Sequence, residues 1–462
     1  MRTLLLILLA PLTCLAQDNY RLKFQVEGWR DTTVYLAYYW SDVTYVKDTA
    51  EVDERGNFQF DGNGRLPQGV YLLVVNKKKI FDFVVGERQD FTIKTSSEDY
   101  LFRLTSDDLD NQLFFENMTR AIERHNLANA ADGEDIENKG NLARVEKEIK
   151  HFQEQLVKKH ASTVTARILL AHKPLEIPAN APRADGTLDS TFHLLWYRAH
   201  YFDNFKLADD ALIRAPGKIY MQKVNDYLDR LFVQHPDSLE APLERILGMA
   251  KANPETFKFL AWQLMVKYRE HSIMGLDEVY VDLFDKYFAS GLMDFWVTKP
   301  MLKNIKDEAD RMRRSLVGRT GSNLIMLDAE FTPRSMYDIR NKYTILFIFD
   351  PDCGSCKKET PKLVNFYEKK KFDLEVYAVS LDSSMSKMRD MITKMRLQWI
   401  TVNGPRTYVG PVQELYDADR TPAIYVLDRQ KKIIAKKIVV SQLEEFFAKY
   451  EAVEKLKDPS RR

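Results

Sequence analysis

Cysteine is nearly absent, with three in 462 residues, and one of them, Cys14, lies in the first sixteen. So sparse a set excludes a disulfide-stapled scaffold, which needs its bridges densely spaced. An excess of one charge is missing too. The chain carries 68 basic and 67 acidic residues, a formal net charge of +1, which argues against a dedicated nucleic-acid binder and its basic surface. Beyond residue 20 no apolar run approaches the roughly 18 residues needed to cross a bilayer. Histidine stops at His271, and all eight lie between His125 and that position. His193 and His200 are seven apart, with no i, i+4 partner and no third ligand nearby, so they read as core or groove-lining residues rather than zinc ligands. Gly62-x-Gly64 lacks the third glycine and the following helix of a phosphate loop and reads as a hairpin turn.

What is present points to folded domains. Apolar residues make up 45% of the chain and aromatics 12%, enough for sizeable cores and too much for a disordered chain. At roughly 100–200 residues per domain, several units are expected. The first sixteen residues have Arg2, the apolar stretch Leu4 to Ala10, and small residues Cys14 and Ala16 at the places preceding a cleavage before Gln17. That is the pattern of a secretory signal peptide. Lipid attachment at Cys14 is the alternative, which Pro11 and Thr13 fit poorly. With residues 1–16 removed, only Cys353 and Cys356 remain, in an oxidising setting.

From residue 17 to 100 the pattern is short alternating strands, as in Leu22, Phe24 and Val26, separated by turns every 8–12 residues; this predicts a small antiparallel β-sandwich. Residues 101–317 carry apolar positions at three- and four-residue spacing and read as a central all-α region, without the 34-residue period of a tetratricopeptide array. His235-Pro236-Asp237 looks like a helix stop. After the Val317-to-Ser322 linker the pattern alternates. Tyr343 to Phe349 is a continuous apolar run expected of a strand buried on both faces. A helix from Cys353 to about Lys370 follows, then the strand Leu374 to Ser380, the helix Met385 to Met395, the strands Ala423 to Leu427 and Ile433 to Val439, and a helix from Gln442 to about Lys455. Residues 322–462 thus read as an α/β domain with a mixed sheet, and the whole chain as multidomain α+β.

The chemistry concentrates at Phe349-Asp-Pro-Asp-Cys353-Gly-Ser-Cys356, where a buried strand hands over to a helix. Unpaired amides and the macrodipole at a helix N-terminus favour a thiolate on the first cysteine. Two intervening residues put the second sulfur within disulfide reach, so a mixed disulfide at Cys353 is resolved from Cys356. Zinc would need four ligands, and this domain has no histidine and no further cysteine. An inert structural disulfide is the remaining bland reading. Asp350 and Asp352 should raise the thiol pKa, and Lys357 and Lys358 oppose them. Pro361 falls inside the helix, and Thr421-Pro422 precedes the strand Ala423 to Leu427, where a cis-proline loop would approach the sulfurs.

On these residues, and on Ala378 to Asp382 and Tyr416 to Asp428, the segment from about Asn323 to Lys455 resembles the thioredoxin-fold domains of TlpA/ResA-type envelope thiol–disulfide oxidoreductases. Met385 to Tyr416 would be that branch's helix-and-strand insertion. The resemblance implies a thioredoxin-like domain with Cys353 as nucleophile, Cys356 as resolving thiol, and Thr421 and Pro422 binding substrate peptide. It implies no cofactor and a periplasmic or cell-envelope location. Its substrates would be disulfide-bearing envelope proteins, and its electron donor an unidentified membrane or periplasmic protein. Two positions depart from thioredoxin itself: Phe347 stands where a buried aspartate is usual, and Asp352 replaces the tryptophan before the first cysteine. The expected activity is reduction of disulfides. The alternative is an envelope scaffold in which residues 17–317 do the work and the dithiol domain is auxiliary.

Overall fold

The computed structural model describes residues 19–130, 136–180, 182 and 186–457. Residues 1–16, read from the sequence as a signal peptide, lie outside them. Two compact units emerge, residues up to 232 with 243–257, and residues 233–242 with 258 onward.

The first unit opens with strands β1 (Tyr20–Glu27), β2 (Thr33–Trp40), β3 (Val43–Glu51), β4 (Asn57–Gly62), β5 (Gly69–Val75), β6 (Lys78–Val85), β7 (Asp90–Ser96) and β8 (Thr105–Ser106). They form two four-stranded sheets, ordered β4-β1-β7-β8 and β3-β2-β5-β6. The period-two alternation of β1 buries Leu22, Phe24 and Val26 against Phe58, Phe83 and Phe91, joining both sheets in one core. Phe24 stacks on Phe58 at 5.1 Å and meets Phe83 edge-on at 5.3 Å. Pairing is antiparallel except between β1 and β7, which run parallel. Gly62-x-Gly64 is a turn, but not of a hairpin. β4 and β5 belong to different sheets, so this connection crosses the sandwich, and Gly64 supplies the positive φ of 82° it requires.

Five helices follow in this unit: α1 (Leu109–Ala130), α2 (Ile136–Lys159), α3 (Val164–His172), α4 (Phe192–His200) and α5 (Ile219–Leu231). Asn111, fully buried on α1, fastens the helix to β6. Its Nδ2 donates to the Val84 carbonyl and its Oδ1 accepts the Val84 amide, both at 2.9 Å. Asn111→Ala strands both backbone groups, so it should cost about 2 kcal/mol or more, read as a lower urea midpoint of the full chain. An unchanged midpoint would show that the bond is not holding α1. His193 and His200 both lie on α4, but neither is in the core. His193 is exposed, and His200 stacks on Trp196 at 4.3 Å with its Nδ1 2.7 Å from Asp203.

The unit boundary falls inside α6 (Pro236–Ala250) and α7 (Pro254–Arg269). His235-Pro236-Asp237 is therefore a start as much as a stop. The sequence signal is double-edged, because a proline that cannot continue one helix is well suited to the first turn of the next. The second unit continues with α8 (Asp277–Leu283) and α9 (Lys299–Arg314), then β9 (Ile325–Asp328), β10 (Pro333–Ser335), β11 (Tyr343–Phe349), α10 (Gly354–Glu368), β12 (Leu374–Ser380), α11 (Met385–Met395), β13 (Ile400–Asn403), α12 (Val412–Leu415), β14 (Ala423–Leu427), β15 (Ile433–Lys436) and α13 (Val440–Lys457). Its seven-stranded sheet is ordered β10-β9-β13-β12-β11-β14-β15. β11 to β13 are parallel neighbours, and the remaining pairs are antiparallel. Every residue of β11 is buried. Ile345, Phe347 and Phe349 face a core with Leu363 and Phe447, while Leu346 and Ile348 face another with Tyr377 and Tyr425. Phe347 is thus an ordinary core aromatic, stacked on Phe349 at 5.4 Å. The last strand stops at Lys436 rather than Val439, because Lys437 turns to φ 52° and α13 begins three residues later.

Candidate active site

Cys353 sits at the junction of β11 and α10 as the helix N-cap, with φ −68° and ψ 124°. The turn leading to it is tied by Asp350, whose carboxylate accepts the Asp352 amide at 2.7 Å and whose carbonyl accepts the Cys353 amide at 3.1 Å. The Cys353 sulfur accepts the Cys356 amide at 3.4 Å, one of the helix's otherwise unpaired donors. It also lies 3.4 Å from the Thr421 carbonyl, to which its thiol donates. Thr421–Pro422 is a cis peptide bond. Four residues singled out in the sequence, Cys353, Cys356, Thr421 and Pro422, are therefore gathered at one end of the sheet.

The two thiols are both free, and they are unequal. Cys353 is half-buried and Cys356 has no exposed surface. For Cys353, burial pushes the pKa up, but hydrogen bonds from the Cys356 amide and around Thr421 outweigh it, and the net shift is downward. For Cys356, burial dominates, the neighbouring Cys353 sulfur adds to it, and the thiol is pushed up to about 12.

One residue at this site escaped the sequence reading. Lys387, on α11, sits 2.7 Å from the Asp352 carboxylate and 2.8 Å from that of Asp382. The negative charge preceding Cys353 is thereby compensated from 35 positions away, a contact with no local signature. Lys387→Met should leave these carboxylates uncompensated and move the Cys353 pKa up, a small effect because the groups are solvent-exposed. The pH profile of Cys353 alkylation reads this out, and no upward shift would deny Lys387 the role.

The loop carrying Thr421 and Pro422 is held from several sides. The Tyr425 hydroxyl donates to the Tyr416 carbonyl. The buried Asp417 carboxylate takes Arg311 of α9 at 2.9 Å and Lys437 at 2.7 Å. Pro422 also lines a cavity of about 650 Å³ together with Glu359 of α10 and residues 269–275, just beyond α7. Pro361 lies within α10, where it withholds the amide that would reach the Lys357 carbonyl.

Residues 341–433 match the family model described as thioredoxin-like. The chain is 36% identical to a domain of a possible thiol-disulfide isomerase from Cytophaga hutchinsonii, covering 97% of that chain and 30% of this one, with a TM-score of 0.29. Through its C-terminal domain the chain belongs to the thioredoxin-like family. That domain is a thiol–disulfide oxidoreductase domain. The thioredoxin domain of a thiol-disulfide oxidoreductase from Bacteroides vulgatus is 26% identical, with 96% of it and 29% of this chain covered and a TM-score of 0.28. A thioredoxin-like protein from Bacteroides caccae reaches further, over 60% of this chain and 99% of its own, at 18% identity and a TM-score of 0.46. Residues 20–117 and 147–312 match two domains of unknown function, DUF4369 and DUF5106. No curated protein matches the chain.

Proposed function

We propose that this thioredoxin-like protein is exported and reduces disulfides in other proteins of the bacterial cell envelope. The Cys353 thiolate attacks one sulfur of a substrate disulfide, forming a mixed disulfide and releasing the other substrate sulfur as a thiolate, which takes a proton from water. Cys356, once deprotonated, attacks the Cys353 sulfur. The bond to the substrate breaks, the second substrate thiolate leaves, and a Cys353–Cys356 disulfide remains. Two electrons have passed to the substrate, and a protein dithiol donor in the membrane or periplasm must return them. Thr421 and Pro422 would hold the substrate backbone beside Cys353.

The observation that supports this order is the inequality of the thiols. Cys353 is accessible and shifted toward the thiolate, whereas Cys356 is buried and held protonated. Part of what holds Cys356 protonated is the Cys353 sulfur itself. Once that sulfur is bound in a mixed disulfide its charge is gone, and Cys356 becomes easier to deprotonate at the moment it is needed.

The test is insulin reduction by residues 17–462 with dithiothreitol as electron source. The wild-type protein should accelerate precipitation of the reduced chains, and Cys353→Ser should return the rate to that of dithiothreitol alone. Activity surviving in Cys353→Ser would remove the proposal.

A further inference from the structure

The cavity beside Pro422 is lined in part by a stretch that the thioredoxin-like family match does not include. Residues 269–275, from the end of α7 into its link to α8, line it together with Asp419, Arg420, Pro422 and residues 436–439. This wall is fastened in place. The Lys436 amide donates to the Met274 sulfur at 3.3 Å, and the Lys436 ammonium, itself only 4% exposed, pairs with Asp277 at the start of α8. Glu270 reaches Arg420, next to Thr421, at 3.3 Å.

Among these residues Ile273, Met274 and Val439 are exposed apolar side chains that face a common space with Pro422. Many of the charges around them are already paired: Arg269 with Glu308, Asp277 with Lys436, Lys437 with Asp417, and Glu359 with Lys362. A cleft of about 650 Å³ in which these apolar side chains stand among paired charges suits an uncharged stretch of polypeptide that offers an apolar residue, and methionine adapts to varied side chains.

We propose that residues 269–275 form a second wall of the substrate site, selecting disulfides carried in polypeptide with an apolar residue near the reacting cysteine. The proposal rests on the reductase reading above. The occupant follows from continuity. Pro422 belongs both to the loop beside the Cys353 sulfur and to the cavity, so chain flanking a cysteine bound to Cys353 enters this space. A small disulfide has no chain to place there.

Ile273→Asp and Val439→Asp put a charge at two exposed positions of this lining. Each should lower kcat/KM for insulin roughly tenfold, the worth of one apolar contact. The rate with bis(hydroxyethyl) disulfide and the rate of Cys353 alkylation by iodoacetamide should stay within about twofold. Insulin kinetics unchanged in both variants, or an equal fall with both disulfides, would overturn the wall while leaving the reductase intact. A wild-type protein that reduces neither disulfide would instead refute the reductase reading, and this proposal with it.

Discussion

Cys356→Ser turns the enzyme into a trap: incubated with a protein disulfide, it accumulates as a covalent adduct through Cys353 and releases no reduced product. Cys353 keeps everything it needs for attack in this variant, since its N-cap position and the Cys356-position amide belong to the backbone of α10. What is lost is the sulfur that would displace the substrate. Turnover should fall at least about a hundredfold, with the adduct visible on a non-reducing gel and dispersed by dithiothreitol. Cys353→Ser should give neither adduct nor turnover. Adducts formed equally through either sulfur would contradict the division of roles.

The second large effect is chemical selectivity in the folded, pre-reduced protein of residues 17–462. Iodoacetamide should modify Cys353 alone near neutral pH, at least about a hundredfold faster than Cys356, because reaction requires the thiolate. Burial pushes the Cys356 thiol up to about 12 and shields it as well. The sign for Cys353 follows from its lowered pKa. Its thiolate fraction grows with rising pH, so the rate climbs and levels off at a lower pH than for an ordinary thiol. In guanidinium chloride both cysteines should react at similar rates with the ordinary thiol profile. Equal reactivity in the native protein would remove the inequality on which the mechanism depends.

The parts of the fold that the sequence announced are those with strong local physics. Tyr343 to Phe349 is apolar without interruption because β11 is covered on both faces, and the dithiol follows where that strand meets a helix start. Thr421-Pro422 could be placed because a proline directly before a buried strand restricts where that strand begins. The hairpin of β9 and β10 left no comparable trace. Ile325 and Leu327 are exposed while Met326 is buried, over strands of only four and three residues. The parallel pairing of β1 with β7 joins segments some seventy residues apart, and nothing in either strand specifies its neighbour's direction. At the site, Lys387 and the 269–275 wall were invisible for the same reason: each meets Asp352 or Pro422 only after the chain has folded. For His193 and His200 the core half of the core-or-groove reading fails, because aromatic neighbours suggested a core, whereas α4 has no buried residue.

The equilibrium reduction potential of the Cys353–Cys356 pair, titrated in residues 17–462 against dithiothreitol and glutathione buffers, tests the central claim most directly. Among the described residues no cation hydrogen-bonds the Cys353 sulfur; its partners are the Cys356 amide and the Thr421 carbonyl. A thiolate without such support does not stabilise the reduced form enough to make a strong oxidant, so the account predicts a value near thioredoxin's, roughly −270 mV. A potential near −120 mV would make the protein an oxidant, and one well below about −300 mV would make the pair a structural bridge; either would contradict a reductase.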